Sequence, residues 1–246
     1  MAISAGPLFP CNPSVSFIIN FDPLFFGYTP DAETAARALL DRIWKRLSDG
    51  GKVLMELGTY PFSKRYGWVQ DAYGISWQLM LTDPEGDPRP TIIPSLLFSG
   101  IYYGKAEEAS QFYLSIFPHS QPGALYHYPD SSKAVMFADI KLKDTWLAMM
   151  DNAADQGFRF NEAISFIVNC DDQKEMDYFW EKLSAVPAAE QCGWIKDKYG
   201  LSWQIVPAAL EEMVNQGTPE QIDRIVQVMM PMKKLELATI QSAWHQ

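Results

Sequence analysis

The sequence predicts an α+β protein: paired strand–helix–strand modules in a mixed sheet, followed by C-terminal helices. Three observations carry that expectation. Segments of the chain repeat one another, short β-branched and aromatic runs are each followed by an amphipathic helix, and a proline-punctuated stretch closes the sequence.

The repeat comes in three ordered blocks. Ser14-Val15-Ser16-Phe17-Ile18-Ile19-Asn20 matches Ala163-Ile164-Ser165-Phe166-Ile167-Val168-Asn169, and Ile43-Trp44-Lys45-Arg46-Leu47-Ser48 matches Phe179-Trp180-Glu181-Lys182-Leu183-Ser184. The third block pairs Gly67-Trp68-Val69-Gln70-Asp71-Ala72-Tyr73-Gly74-Ile75-Ser76-Trp77-Gln78 with Gly193-Trp194-Ile195-Lys196-Asp197-Lys198-Tyr199-Gly200-Leu201-Ser202-Trp203-Gln204. The offset shrinks from block to block, so the first copy carries extra residues. Ordered, tryptophan-rich matches of this kind indicate a duplication.

Each copy reads as strand, helix, strand, strand. The Ser-Phe-Ile run is a buried strand by composition. Residues 31–47 follow with Ala35, Ala38, Leu39, Ile43, Trp44 and Leu47 at helical spacing, and residues 173–183 form the second helix. Residues 67–70 and 75–79 flank Asp71-Ala72-Tyr73-Gly74, a hairpin turn in which Gly74 is free to take positive φ. The extra residues near 49–55 add one short strand to the first copy.

Residues 91–150 form a diverged unit: a strand at 91–98, a helix at 106–117 ended by Pro118, and strands at 125–128, 134–141 and 145–150. The expected organisation is an incomplete first unit at 1–82, a proline-rich linker at 83–90, a complete two-module unit at 91–207 and a helical tail at 208–246. In the tail, Thr218-Pro219-Glu220-Gln221 has the form of a capping box, and Ile222, Ile225, Val226 and Met229 share a face expected to pack on the sheet.

A chain of 246 residues holds one large domain or two small ones. Its formal charge of −10 repels phosphate backbones, so no nucleic-acid partner is expected. No apolar run approaches the roughly 18 residues that would span a bilayer, so no membrane role is expected. Met1-Ala2-Ile3-Ser4 lacks the basic and apolar stretches of a signal peptide. Cys11, Cys170 and Cys192 are odd in number and lack CxxC spacing, and a cytoplasmic location follows as the expectation.

Lys105-Ala106-Glu107-Glu108-Ala109-Ser110-Gln111-Phe112-Tyr113-Leu114-Ser115-Ile116-Phe117-Pro118, Phe160-Asn161-Glu162-Ala163-Ile164-Ser165-Phe166 and the Gly-Trp-x-x-Asp-x-Tyr-Gly-x-Ser-Trp-Gln block together resemble the PhnB-like family of the vicinal oxygen chelate, or glyoxalase, superfamily. The resemblance implies paired βαβββ modules in a cupped eight-stranded sheet. The family's label, 3-demethylubiquinone methyltransferase, finds no support in the residues: no glycine-rich turn after a strand is followed by an acidic ribose-binding residue. Against tandem members of the family the chain begins inside its first unit, with Met1–Phe9 resembling the end of a fourth strand. A half sheet exposes strand edges, so a homodimer is expected to cover it, with a misplaced start or a fragment as the alternative.

Metal-dependent members of the superfamily carry His, Glu or Gln at four inner-strand positions. By the resemblance these fall near Ser95, Ala163, Gln204 and residues 147–149, with Gln78 as the equivalent of Gln204 in the incomplete unit. One amide does not hold a divalent ion, so no metal and no other cofactor is expected. His119, His127 and His245 are unpaired at ligand spacing, and the cysteines read as small apolar residues. Asp171 or Asp172 reads as a helix N-cap, and Glu211-Glu212 as a solvated helix face.

Alternation along residues 201–205 places Ser202 and Gln204 on one face. Ligand-binding candidates are therefore Gln204, Ser202, Ser95, Tyr113 and Trp194; no catalytic residue emerges. The expected function is binding of an unidentified small molecule in the sheet cup. A metal-dependent lyase or dioxygenase-type enzyme with unrecognised ligands, or a dimeric interaction module, are the alternatives.

Overall fold

The computed structural model describes residues 9–85, 88–130 and 133–246. Met1–Leu8, most of the segment expected to end a preceding strand, lie outside the described residues, as do two residues of the 83–90 linker. The chain forms two compact units, residues 1–159 and 160–246.

The first unit is an eight-stranded mixed sheet in the order β2-β3-β4-β1-β5-β8-β7-β6. One module supplies β1 (Val15–Phe21), α1 (Ala32–Ser48), β2 (Lys52–Tyr60), β3 (Ser63–Gln70) and β4 (Ser76–Leu81). The other supplies β5 (Ile92–Ser99), α2 (Ala106–Ile116), β6 (Gln121–His127), β7 (Val135–Leu142) and β8 (Thr145–Asn152). Each first strand runs parallel to its module's last strand, and β1 and β5 meet antiparallel at the seam, with Ser16 opposite Ser95 and Ile18 opposite Ile93.

Alternation explains the two faces of this sheet. Phe21, Leu79, Leu81 and Val69 point to α1, where Ala36 and Leu40 are fully buried and Trp44 packs alongside. A Cβ on Gly67 would collide with the Trp44 ring, which is why glycine precedes Trp68 in β3. On the opposite face Ile18, Ile93 and Ala148 form a second cluster with Met80, Phe137 and Trp146.

The seam corrects one expectation. Residues 91–150 were expected to pair with the module that follows; their β5 is instead bonded to β1 of the preceding module. Asn20 fastens the intervening connector, donating from its backbone N to Thr91 O and from Nδ2 to Pro90 O, both at 2.8 Å, and so directs β5 back along β1. Apolar β runs specify a strand's faces but leave its edge partner open, so the choice was not in the pattern.

The second unit contains β9 (Ser165–Cys170), α3 (Gln173–Leu183), β10 (Trp194–Lys196) and β11 (Ser202–Pro207). They form a three-stranded sheet in the order β10-β11-β9. The register of β9 on β11 matches that of β1 on β4: Ser165 lies opposite Ser202 and Ile167 opposite Gln204, as Ser16 lies opposite Ser76 and Ile18 opposite Gln78. Phe166 sits 5.4 Å from Trp203 at 39°, and Phe17 sits 5.4 Å from Trp77 at 40°. Asp172 caps α3 by accepting from Glu175 N.

The tail holds α4 (Ala209–Gln216), α5 (Pro219–Met229) and α6 (Leu237–His245). Thr218 and Gln221 form the expected capping box. The apolar face of α5, expected on the sheet, packs chiefly against α6, because the chain turns back after Pro231 and brings Ile240 and Ala243 toward Ile225. Among the described residues no helix is long and apolar enough to cross a membrane.

Candidate functional site

The Asp-x-Tyr-Gly-x-Ser-Trp-Gln block builds a rigid turn in both units. Asp71 Oδ1 accepts from Tyr73 N and Ile75 N, both at 2.9 Å, and Oδ2 accepts from the Trp77 indole at 2.9 Å. Asp197 does the same with Tyr199 N, Leu201 N and the Trp203 indole at 2.8, 3.1 and 2.9 Å. Gly74 and Gly200, at φ 87° and 81°, supply the left-handed step that an L side chain resists. The turn thus fixes the strand that follows, and with it the glutamine seven residues after the aspartate.

That glutamine is where the two units diverge. Gln78 Nε2 donates to Ser16 Oγ at 2.7 Å, and its Oε1 accepts from the Tyr66 hydroxyl at 2.7 Å. Burial pushes the Tyr66 phenol well above its ordinary pKa, so the hydroxyl stays a donor. Trp68, directly across from Gln78, donates its indole to Ser76 Oγ at 2.7 Å. Every polar group of this cluster is used within the sheet.

In the second unit Gln204 Nε2 donates to Ser165 Oγ at 2.8 Å, the counterpart of the Gln78 bond. Cys192 stands where the sequence match places Tyr66, so no phenol reaches Gln204 Oε1, which has no partner among the described residues. Ser202 Oγ turns to Asn161 O at 3.4 Å, leaving the Trp194 indole N–H without a partner among the described residues as well. Trp194 and Gln204 are directly opposed across β10 and β11, and both are half-buried. Beside them Lys196 Nζ binds Glu162 Oε1 at 2.7 Å, while Glu162 Oε2 is buried with no hydrogen-bond partner among the described residues.

Three of the five predicted ligand-binding residues lie in the second unit and two in the first. Gln204, Ser202 and Trp194 come together on one face of the β9–β11 sheet. Ser95 lies in the other unit, fully buried between Ser16 and Ala148, its Oγ without a partner among the described residues. Tyr113 is buried in α2, its ring 5.5 Å from Phe112. The residues missed from sequence are Tyr66 and the Asn12/Asn161 pair, whose side chains accept from Ser14 N at 2.9 Å and Ala163 N at 3.0 Å to set the start of β1 and β9. An asparagine two residues before Ser14 and before Ala163, where the matched blocks begin, was the available signal.

Comparison with known proteins adds a family. The family described as 3-demethylubiquinone-9 3-methyltransferase matches residues 1–80 and 90–206. The chain belongs to this family. It is similar to a solved structure from Bacillus cereus described as a putative 3-demethylubiquinone-9 3-methyltransferase, PhnB protein, at 30% identity over 46% of this chain and 96% of that one, with a TM-score of 0.40. Glyoxalase I from Zea mays matches at 15% identity over 82% of this chain and 71% of that one, with a TM-score of 0.47. The fosfomycin resistance protein FosX from Listeria monocytogenes matches at 14% identity over 50% and 94% of the two chains, with a TM-score of 0.35. No curated protein matches the chain.

The eight-stranded sheet of this family member is built from two βαβββ modules joined at the β1–β5 seam. The chain's donor set does not fit the metal that the metal-dependent branch of the superfamily uses. The positions that the resemblance assigns, Ser95 and the apolar stretch 147–149 in the first unit and Ala163 and Gln204 in the second, offer a single amide among hydroxyl and apolar side chains, and among the described residues no three His, Cys, Asp or Glu side chains converge. Nor does the glycine-bearing turn between β5 and α2 offer free amides to a nucleotide-like cofactor. Asp151 Oδ1 accepts from Gly104 N, Lys105 N and Ala106 N at 2.8, 3.1 and 3.3 Å, so a carboxylate already occupies the helix N-terminus. His127 is engaged with Glu107 at 2.9 Å, and burial raises the Cys192 thiol away from its reactive thiolate form.

Proposed function

We propose that this chain binds a small, neutral, planar molecule on the β9–β11 face, reading it through Gln204 and Trp194, and we assign it no reaction. The observation that supports this reading is the pair of unfilled groups on adjacent strands, an amide oxygen and an indole N–H, at positions whose counterparts Gln78 and Trp68 are satisfied internally. An acceptor beside a donor is complementary to a group carrying its own donor and acceptor side by side, such as a lactam or a carboxamide. The half-buried indole of Trp194 supplies an apolar surface for the ring of such a ligand.

The β1–β4 module and the β9–β11 module are read here as copies of one duplicated module, the first closed on itself and the second left open. The partners of this reading are the small molecule and a second copy of the chain. Three free cysteines fit a cytoplasmic setting.

Melting temperatures measured with 2-pyridone, nicotinamide and phenol test the binding reading, since a ligand of the native state alone raises stability by about 2.7 kcal/mol at a hundredfold excess over Kd. The expected result is an upward shift with the lactam and the carboxamide that Gln204→Ala removes. An equal shift in Gln204→Ala, or none with any compound, contradicts it.

A further inference from the structure

We infer that the C-terminal end of α1, together with the turn that carries Tyr73, is a docking surface for an acidic segment of a partner protein. The surface belongs to the first unit and does not involve Gln204 or Trp194, so it is independent of the ligand reading. In a chain of formal charge −10, residues 37–52 hold five cations against two carboxylates. Arg42, Lys45 and Arg46 stand three and four residues apart and therefore share one face of α1. All three are exposed, and so is Lys52, which follows the turn at Gly50 and Gly51. None of the four has an ion-pair partner among the described residues, whereas Lys64 binds Glu33 at 2.7 Å and Arg65 binds Asp41 at 2.8 Å. Asp49 is the one exposed carboxylate of residues 37–52.

A helix C-terminus favours cations whatever its function, so the related helices serve as the control. α2 has no basic residue in its last turn, and α3 has Lys182, which lies 3.5 Å from Glu181. In the matched blocks Tyr178, Glu181 and Lys182 stand at the places of Arg42, Lys45 and Arg46. The dipole is common to all three helices and does not account for a ridge found on one.

Tyr73 supplies the second contrast. The Asp-x-Tyr-Gly turn is the same in both copies, yet Tyr199 is 3% exposed and Tyr73 is 90% exposed. Asp71 Oδ1 holds the Tyr73 backbone N at 2.9 Å, so the ring is presented on a fixed turn with little left to order on binding. That turn adjoins the end of α1: a Cβ on Gly50 would lie 3.5 Å from the Ala72 Cβ, and Lys52 is opposite Gln70 in the β2–β3 register. An exposed ring and four cations therefore meet at one end of the module.

Carboxylates complement these cations, and an apolar or aromatic side chain within the same segment covers the Tyr73 ring. A protein segment fits better than a nucleic acid. The cations occupy only the last turns of one helix and the strand start beside it, and the acidic remainder of the chain repels a long polyanion.

Fluorescence anisotropy of the full chain tests this with two labelled probes, a short peptide of glutamates around one tryptophan and a short oligothymidine strand. The peptide is expected to bind in a salt-sensitive way. Arg42→Glu combined with Arg46→Glu is expected to weaken it about tenfold or more, Tyr73→Ser several-fold, and Lys182→Glu on α3 not at all. All of these positions are exposed, so the fold tolerates the changes, and circular dichroism unchanged from wild type verifies it. No binding of the peptide, an equal loss from Lys182→Glu, or no loss from Tyr73→Ser would overturn the inference, the last because it leaves only unspecific attraction of charge. Tighter binding of the oligothymidine than of the peptide would overturn it in favour of a nucleic acid. The peptide is expected to bind Gln204→Ala as it binds wild type, so failure here and failure of the ligand reading are separately visible.

Discussion

Gln78 and Gln204 each donate an amide proton to a serine on the neighbouring parallel strand, at 2.7 and 2.8 Å, but only Gln78 receives a hydroxyl on its oxygen, that of Tyr66. Tyr66 against Cys192 accounts for the open amide oxygen, and Ser202 turned to Asn161 O accounts for the open indole N–H. The same backbone scaffold thus yields a structural element in one unit and a candidate ligand contact in the other.

Removing the Tyr66 hydroxyl is the direct check on the closed cluster. Tyr66→Phe leaves a buried amide oxygen without its donor and is expected to cost about 1–3 kcal/mol in urea unfolding. Gln204→Ala, at a half-buried site whose oxygen has no internal donor, is expected to cost under about 1 kcal/mol. Equal losses from both would mean that the two glutamines are equivalent.

The aspartate turns predict a second asymmetry. Asp197 is fully buried and serves three donors, whereas Asp71 serves the same set in a half-exposed turn where Tyr73 is 90% exposed. Asp197→Ala is expected to lose about 3 kcal/mol or more and Asp71→Ala about 1–2 kcal/mol, because water can replace the lost partner only at the exposed site. Local unfolding of residues 193–207 in the Asp197 variant, followed by amide exchange, identifies where the loss falls.

Asp155 gives a pH-dependent prediction. The Arg159 guanidinium, at 2.8 Å, with help from Gly157 N–H, holds its carboxyl down at about 2. A lowered folded value means that the ion pair contributes fully above the unfolded value of about 3.9 and is lost as the pH falls through about 2. The stability difference between wild type and Asp155→Asn, small because the pair is exposed to solvent, is expected to be constant above pH ~4 and to vanish toward pH ~2. Melting curves across that window measure it, and a difference unchanged at pH ~2 would contradict the assignment.

Much of this fold is legible residue by residue. The helices at 32–48, 106–116 and 173–183 and the capped α5 follow from apolar spacing and from Pro118, Asp172 and Thr218, which are local signals. The pairing of modules is not local. Residues 92–99 read equally well beside either neighbouring module, and the choice rests on Asn20 holding the connector through its backbone and side chain. The candidate site was half legible for the same reason. Alternation placed Ser202 and Gln204 on one face, and the cross-strand register brought Trp194 to them. Ser95 and Tyr113 were grouped with them by the expected module pairing, and they lie in the first unit. Tyr66 was invisible because its role depends on a hydroxyl crossing to the next strand, which no periodicity reports.

The most direct test of the open site is the indole N–H resonance of Trp194, assigned by its disappearance in Trp194→Phe and followed in two-dimensional nitrogen–proton spectra as 2-pyridone is added. If the β9–β11 face receives such a ligand, this signal moves in a saturable way, the Trp68 indole signal stays in place, and Gln204→Ala weakens the response. A Trp194 signal that holds its position while other resonances shift would place the ligand elsewhere and contradict the account.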